Sequence, residues 1–190
     1  MDLIYSNDRR EDIGLLTDYR FDLAFGKDEN DFEVTIPATE HCCGPGYFLY
    51  IPGTEYGGII DTVYVNTAEG DIVYKGRTWH GLLESKVVQP AAGEDYLTLT
   101  GDANALLGQL IELLGLGELF EAEAAESGLR VSGYRMNRYI KAYEGTRKML
   151  ASVGGKLRVT FTDGKVRLAA APRSMPVDVD DLDSDDIDIE

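Results

Sequence analysis

Two short groups of residues in this sequence are of types suited to chemistry. His41-Cys42-Cys43 joins an imidazole to two thiols, the ingredients of a thiol nucleophile or a zinc site. Catalysis needs a histidine that the fold holds across from the thiolate, and zinc needs about four ligands. Outside the carboxylates, only His80 remains to contribute, so we expect a loop with partly buried, reduced thiols.

The second group centres on His80, which stands beside Trp79 and near Glu84, as a general base stands near an orienting carboxylate. The same pattern has an explanation without catalysis. Trp79, Leu82 and Leu83 share one face of a short helix, which places the aromatic ring inward. We therefore expect Trp79 in the core and little contribution from His80.

A glycine pair, Gly57-Gly58, is the remaining feature of a type that can bring backbone amides close to a phosphate. No lysine and no helix start follow it, so a β-bulge or a tight bend is the better interpretation. The sequence thus contains no catalytic constellation. We predict no catalytic residue, no cofactor site and no metal ligand, and hence a protein that is not an enzyme.

The candidate binding residues are instead tyrosines in the central part of the chain. On a strand, tyrosine commonly covers a half-buried face, but it is also enriched where proteins bind one another. The candidate interface consists of Tyr47, Tyr50, Tyr56, Tyr64 and Tyr74.

These tyrosines lie in a predicted β-meander that ends in a helical lid at Trp79. Alternation of apolar and polar residues is the signal for half-buried strands. In chain order it predicts strands near 3–5, 19–25, 32–36, 47–51, 59–65 and 71–77. Five or six short strands with almost no helix are typical of a barrel or a sandwich.

The pattern changes after Pro90. Apolar residues at three- and four-residue spacing predict helices over 102–114 and 142–153. Asp163-Gly164 lies between two alternating segments, which is a strong signal for a β-hairpin with φ > 0 at the glycine. The region 96–171 is therefore predicted to be a small α+β module.

The predicted fold class is α+β: a mainly antiparallel β barrel or sandwich, present as an incomplete half, with an inserted module of two helices and a β-hairpin. We assign 1–92 to the β-rich domain, 93–172 to the module and 173–190 to an acidic connector. Eight of the last thirteen residues are acidic and none is Lys or Arg. This composition fits either a disordered solubilising tail or an extended segment that begins a strand.

The charge of the whole chain excludes several classes of partner. A formal net charge of -16 over 190 residues argues against specific binding of nucleic acid and against docking on anionic lipid. No apolar run approaches the roughly 20 residues of a membrane helix, and the charged N-terminal dozen does not match a secretory signal. We expect no membrane anchor.

Four short runs carry a resemblance to a known family. They are Glu-Tyr-Gly-Gly-Ile-Ile-Asp at 55–61, Gly-Arg-Thr-Trp at 76–79, Gly-Leu-Leu at 81–83 and Val-Gln-Pro at 88–90. In order and spacing they resemble the N-terminal part of siphophage and prophage tail-hub proteins, the tail-associated proteins of phages of Gram-positive bacteria. The similarity extends from about Leu3 to Ala171.

This resemblance implies a structural virion protein of the tail tip, part of the baseplate hub below the tail tube. It implies assembly in the bacterial host cytoplasm as a homotrimeric ring, with the distal tail protein and the tape measure protein as neighbours. Two alternatives remain. One is a tail-associated cell-wall hydrolase component whose lytic domain is not in this chain, and the other is a stand-alone glycan- or protein-binding module.

Overall fold

The first part of the chain forms mainly strands, whereas strands and helices alternate in the second part. A computed structural model describes residues 2–27, 29–173 and 186–189. The first group of elements is β1 (Leu3–Ser6), β2 (Asp12–Leu16), β3 (Arg20–Ala24), β4 (Asp31–Pro37), a 3-10 turn (Ala38–Glu40), β5 (Phe48–Tyr50), β6 (Gly57–Asn66), β7 (Asp71–Thr78) and α1 (Trp79–Glu84). The second group is β8 (Tyr96–Asp102), α2 (Ala103–Leu113), β9 (Phe120–Ala122), β10 (Arg130–Asn137), α3 (Ala142–Ala151), β11 (Gly155–Thr162), β12 (Lys165–Pro172) and β13 (Asp186–Ile189).

These elements divide into two compact units. The first unit consists of the chain up to Leu82 together with β13, which comes from later in the sequence. The second unit begins at Leu83 and contains β8 to β12 with α2 and α3. The domain boundary predicted from the sequence lies between residues 92 and 93. Of the predicted connector 173–190, most lies outside the described residues, and 186–189 form β13.

The first unit is built on an eight-stranded sheet in the order β13-β3-β4-β7-β6-β5-β1-β2. All its neighbouring strands are antiparallel. In the second unit, β8 pairs with β10, and a three-stranded sheet has the order β11-β12-β9. The α+β class with mainly antiparallel sheets is therefore confirmed.

The eight-stranded sheet must curl strongly. β2 and β3 lie six steps apart in the sheet, so a flat sheet with strands about 4.8 Å apart would separate them by about 29 Å. The link between Leu16 and Arg20 spans about 14 Å at most. The sheet therefore wraps around its own core, although among the described residues β2 and β13 do not pair and the barrel is not closed.

One apolar cluster is evidence for this curl, because it contains residues from both ends of the sheet. Leu3 and Leu16 come from one end and Phe21 and Leu23 from the other. The remaining buried members are Phe32, Val34, Ile36, Cys43, Leu49, Ile51, Ile60, Ile72 and Tyr74. The predicted alternation in 19–25 and 32–36 thus places its apolar side chains in this core.

Two glycines create the space for the ring of Phe32 within the sheet. A Cβ on Gly58 would collide with the carbonyl group of Arg77, and a Cβ on Gly76 with that of Ile59. Both would also meet the Phe32 ring, which itself packs edge-on against Phe21 with ring centroids 5.9 Å apart. The sequence predicted a β-bulge or a tight bend at 57–58. The two glycines instead begin strand β6, and the irregularity in its pairing with β7 lies between Ile60 and Thr62.

The second unit has helices on small sheets. Helix α2 begins at Asp102, whose carboxylate accepts a hydrogen bond from the amide of Asn104 at 2.9 Å and from the Ser127 hydroxyl at 2.8 Å. Burial acts to raise the pKa of Asp102, but these hydrogen bonds outweigh it and leave the pKa below its ordinary value. The cap therefore fixes the start of the predicted helix.

The hairpin between β11 and β12 has the predicted turn. Asp163 has φ 54° and Gly164 has φ 70°, so both central residues adopt left-handed backbone conformations. This is the type I′ geometry that matches the twist of the flanking strands.

Replacing the turn glycine tests this geometry. We expect Gly164→Val to destabilise the protein by about 1 kcal/mol or more, because a β-branched residue is strained at positive φ. Thermal unfolding followed by circular dichroism measures the effect. An unchanged melting temperature would contradict the assigned turn.

A second substitution tests the space around Phe32. We expect Gly76→Ala to cost about 3 kcal/mol, because the new methyl group has no room between two strands and an aromatic ring. Gly44→Ala is the matched control, since Gly44 has open space around it. Equal denaturant midpoints for the two variants would argue against the packing described.

Candidate interaction surface

The five tyrosines of the candidate interface occupy very different environments. Tyr74 is fully buried and Tyr50 is 7% exposed, while Tyr47 and Tyr56 are half-buried and pack against the core cluster. Tyr64 is 55% exposed. Among these five, Tyr64 has the side chain that is most accessible to a partner. The role of the five as an interface stays a prediction.

Tyr74 organises the loop that contains the two thiols. Its hydroxyl accepts hydrogen bonds from the amides of Cys42 and Cys43, both at 3.2 Å, and lies 3.0 Å from Nδ1 of His41. Burial raises the pKa of Tyr74 to about 12, so the hydroxyl stays protonated at neutral pH. The Tyr74 hydroxyl is thus the acceptor for two consecutive amides of this loop.

The two thiols lie in or against the core cluster. Both are free, with the two sulphur atoms 3.5 Å apart, and Cys43 is buried. Burial raises the pKa of Cys43 well above its ordinary range, which keeps the thiol in its less reactive form. Within the described residues no group of three or more His, Cys, Asp or Glu side chains could hold a metal ion.

Tyr50 is anchored in a similar way. Its hydroxyl donates to Oδ1 of Asp12 at 2.5 Å. Burial and the neighbouring carboxylate both raise the pKa of Tyr50. The bond ties β5 to the start of β2, two strands that are not neighbours in the sheet.

The lid residues are both buried. Trp79 has no exposed surface, as expected, and its ring stacks on Phe48 with centroids 6.2 Å apart. His80 is only 3% exposed and stacks on Phe25 at 4.6 Å, so the expectation of little contribution from His80 does not fit its position. Its neighbouring carboxylate is Glu55, at 3.6 Å, because Glu84 pairs with Lys141 instead.

Two pairs of exposed apolar residues lie in the first unit, and of the four only Tyr64 was among the candidates from the sequence. Ile13 and Leu15 on β2 are each 54% exposed, and we call this pair the β2 strip. Tyr64 and Val65 near the end of β6 are 55% and 62% exposed, and we call this pair the hairpin tip. Adjacent strand residues point to opposite faces, so both faces of the hairpin carry an exposed apolar side chain at this point.

Apolar side chains of this size in solvent mark candidate contact surfaces when they are grouped. The β2 strip lies on a terminal strand of the sheet, where natural proteins more often place charged residues. No helix in the described part of the chain combines the length and the apolar character needed to span a membrane. The β2 strip and the hairpin tip are therefore the exposed apolar sites of the first unit.

Removing the Tyr74 hydroxyl tests its role in the loop. We expect Tyr74→Phe to lower the free energy of unfolding by about 2 kcal/mol, because two amide groups lose their acceptor in a buried site. Tyr64→Phe is the control, since its ring is exposed. Chemical denaturation measures both, and equal stabilities would contradict the role assigned to Tyr74.

Comparison with known proteins gives likeness in structure but not in sequence. No protein-family model matches the chain, and no curated protein matches it significantly. The fold resembles that of prophage tail protein gp18 from Listeria monocytogenes EGD-e, with a TM-score of 0.58 and 13% identity over 92% of this chain and 52% of that one. It also resembles the tail protein from Neisseria meningitidis MC58, with a TM-score of 0.59 and 14% identity over 92% and 52%.

A third solved structure agrees with these two. It is the 43 kDa tail protein of prophage MuSo2 from Shewanella oneidensis, with a TM-score of 0.55 and 12% identity over 91% of this chain and 56% of that one. The chain thus spans about half the length of the solved tail proteins that it matches. At these identities the likeness concerns the fold, and this chain shares the fold of phage and prophage tail proteins.

Proposed function

We propose that this chain is a structural component of a phage or prophage tail, part of the baseplate hub below the tail tube. The observation that carries the proposal is the fold, which resembles three proteins named as tail proteins over more than nine-tenths of this chain. The four sequence runs that resemble tail-hub proteins support the finer placement in the hub.

We further propose that the chain acts as a homotrimeric ring in the virion tail, after assembly in the host cytoplasm. The β2 strip and the hairpin tip support this, because they expose apolar side chains that a second copy would cover. Its neighbours along the tail would be the distal tail protein and the tape measure protein.

The charge distribution suits such a position. The first unit has more than twice as many acidic as basic residues, whereas in 83–173 the two kinds nearly balance. A ring lined by acidic residues repels DNA and so does not trap it during passage.

The mass of the purified chain in solution tests the ring. We expect light scattering after size-exclusion chromatography to give three times the 20.9 kDa of one chain. Exchanging both residues of the β2 strip for lysine, as Ile13→Lys with Leu15→Lys, should return the mass to that of one chain. The circular dichroism spectrum should stay that of the folded protein, because within one chain both side chains are more than half exposed.

The matched control is Leu113→Lys, at a similarly exposed apolar residue on α2. It should leave the mass of the assembly unchanged. A wild-type chain that stays a monomer at all concentrations would contradict the ring and favour the stand-alone binding module.

A further inference from the structure

The second unit exposes a tyrosine whose backbone is strained. Tyr139 has φ 62°, a left-handed conformation that a bulky residue rarely adopts, and it is 61% exposed. Its amide donates to the carbonyl of Val88 at 2.8 Å, and the amide of Val88 donates to the carbonyl of Ile140 at 2.9 Å. The backbone is therefore held in this conformation from both sides. Core packing does not explain the side chain, and an exposed strained residue points to a function.

Two arginines stack on exposed tyrosines at this place. The guanidinium of Arg138 lies 5.0 Å from the ring centroid of Tyr139, and that of Arg135 lies 6.0 Å from the ring centroid of Tyr96. The pairs are neighbours: the residue before Arg138 lies opposite Tyr96 in the β8–β10 pairing, and the amide of Arg138 donates to the carbonyl of Asp95 at 3.0 Å. We call these four residues the Arg–Tyr surface.

The Arg–Tyr surface carries two guanidinium charges. Within the described part of the chain, neither Arg135 nor Arg138 has a carboxylate at ion-pair distance. A guanidinium that rests on an aromatic ring is ordered in advance and keeps N–H groups for a two-pronged bond to a carboxylate. Arginine and tyrosine are also the residues that dominate binding energy at protein interfaces.

The first unit contains a hollow of complementary character. It measures about 320 Å³, and its apolar lining comes from Leu23, Ala24, Phe32 and Gly76. Its charged lining consists of Asp22, Glu29, Asp31, Glu33 and Lys75. We call it the acidic hollow.

Two carboxylates of the acidic hollow lie outside its close ion pairs. Asp22 pairs with Arg20 at 3.0 Å and Glu33 pairs with Lys75 at 2.5 Å. Glu29 and Asp31 have no ion-pair partner among the described residues. An apolar floor below unpaired carboxylates suits a partner that presents aromatic rings together with guanidinium groups.

We propose that the Arg–Tyr surface of one copy docks on the acidic hollow of the next copy. This inference rests on the self-association proposed above and adds a charged contact to the apolar one at the β2 strip and the hairpin tip. A positive surface cannot pair with a second copy of itself, so the Arg–Tyr surface has to meet a different surface of its neighbour. A contact between two different surfaces can repeat from copy to copy and closes into a ring when the rotation allows it.

Charge reversal on each surface tests this pairing. We expect Arg135→Glu with Arg138→Glu to weaken self-association about tenfold or more, and Glu29→Lys with Asp31→Lys to do the same. The chain that combines all four reversals should associate again, because the charges are exchanged and complementary. Sedimentation velocity over a concentration series measures each dissociation constant, and melting temperatures verify that the variants are folded.

The outcomes separate this inference from the proposed ring. If the wild-type chain associates and the folded double variants associate equally well, the pairing is wrong while the ring stands. If the four-fold variant is folded but stays dissociated, the pairing is also wrong. A wild-type chain that never associates overturns the ring and this contact together.

Tyr139→Gly provides a second, independent variant. Glycine relieves the strain at positive φ, so the melting temperature should stay the same or rise. Self-association should nevertheless weaken, because the ring under Arg138 is lost. A glycine variant that associates like the wild type would argue against the Arg–Tyr surface as a contact.

Discussion

The short link between β2 and β3 is the constraint on which the first unit depends. Because it joins strands from nearly opposite ends of the sheet, the sheet has to wrap, and wrapping is what gives the unit a single core. Wrapping also crowds the concave side. Glycines at 58 and 76 make that crowding tolerable, since they let the Phe32 ring lie directly on the backbone of two strands.

Much of this architecture is readable from period-two alternation. Phe21 and Leu23, or Val34 and Ile36, alternate with polar residues, and all four point into the core as expected. The same rule fails at β2, where Ile13 and Leu15 alternate correctly but face solvent. The alternation identifies which residues share a face. It does not say whether a neighbour in the same chain covers that face.

The candidate site was less predictable than the fold for a similar reason. Tyrosine occurs both in protein cores and on protein surfaces, so residue type and spacing do not distinguish the buried Tyr74 from the exposed Tyr64. What separates them is the loop 41–43, whose amides need an acceptor and find it in the Tyr74 hydroxyl. The strain at Tyr139 had no sequence signal, because positive φ at that residue arises from hydrogen bonds to Val88, which is remote in the sequence.

The pairing of β13 with β3 has a consequence for the order of folding. Ile189 lies opposite Phe21, so one strand pair joins positions close to the two ends of the sequence. During synthesis, β3 is made early. The strand that pairs with its outer edge, β13, is complete only when residues 186–189 have been added. The second unit relies on contacts that are much closer in sequence, such as the hairpin of β11 and β12, and can form in the meantime. Until β13 has been added, the outer edge of β3 has unpaired N–H and C=O groups with which other strands could pair.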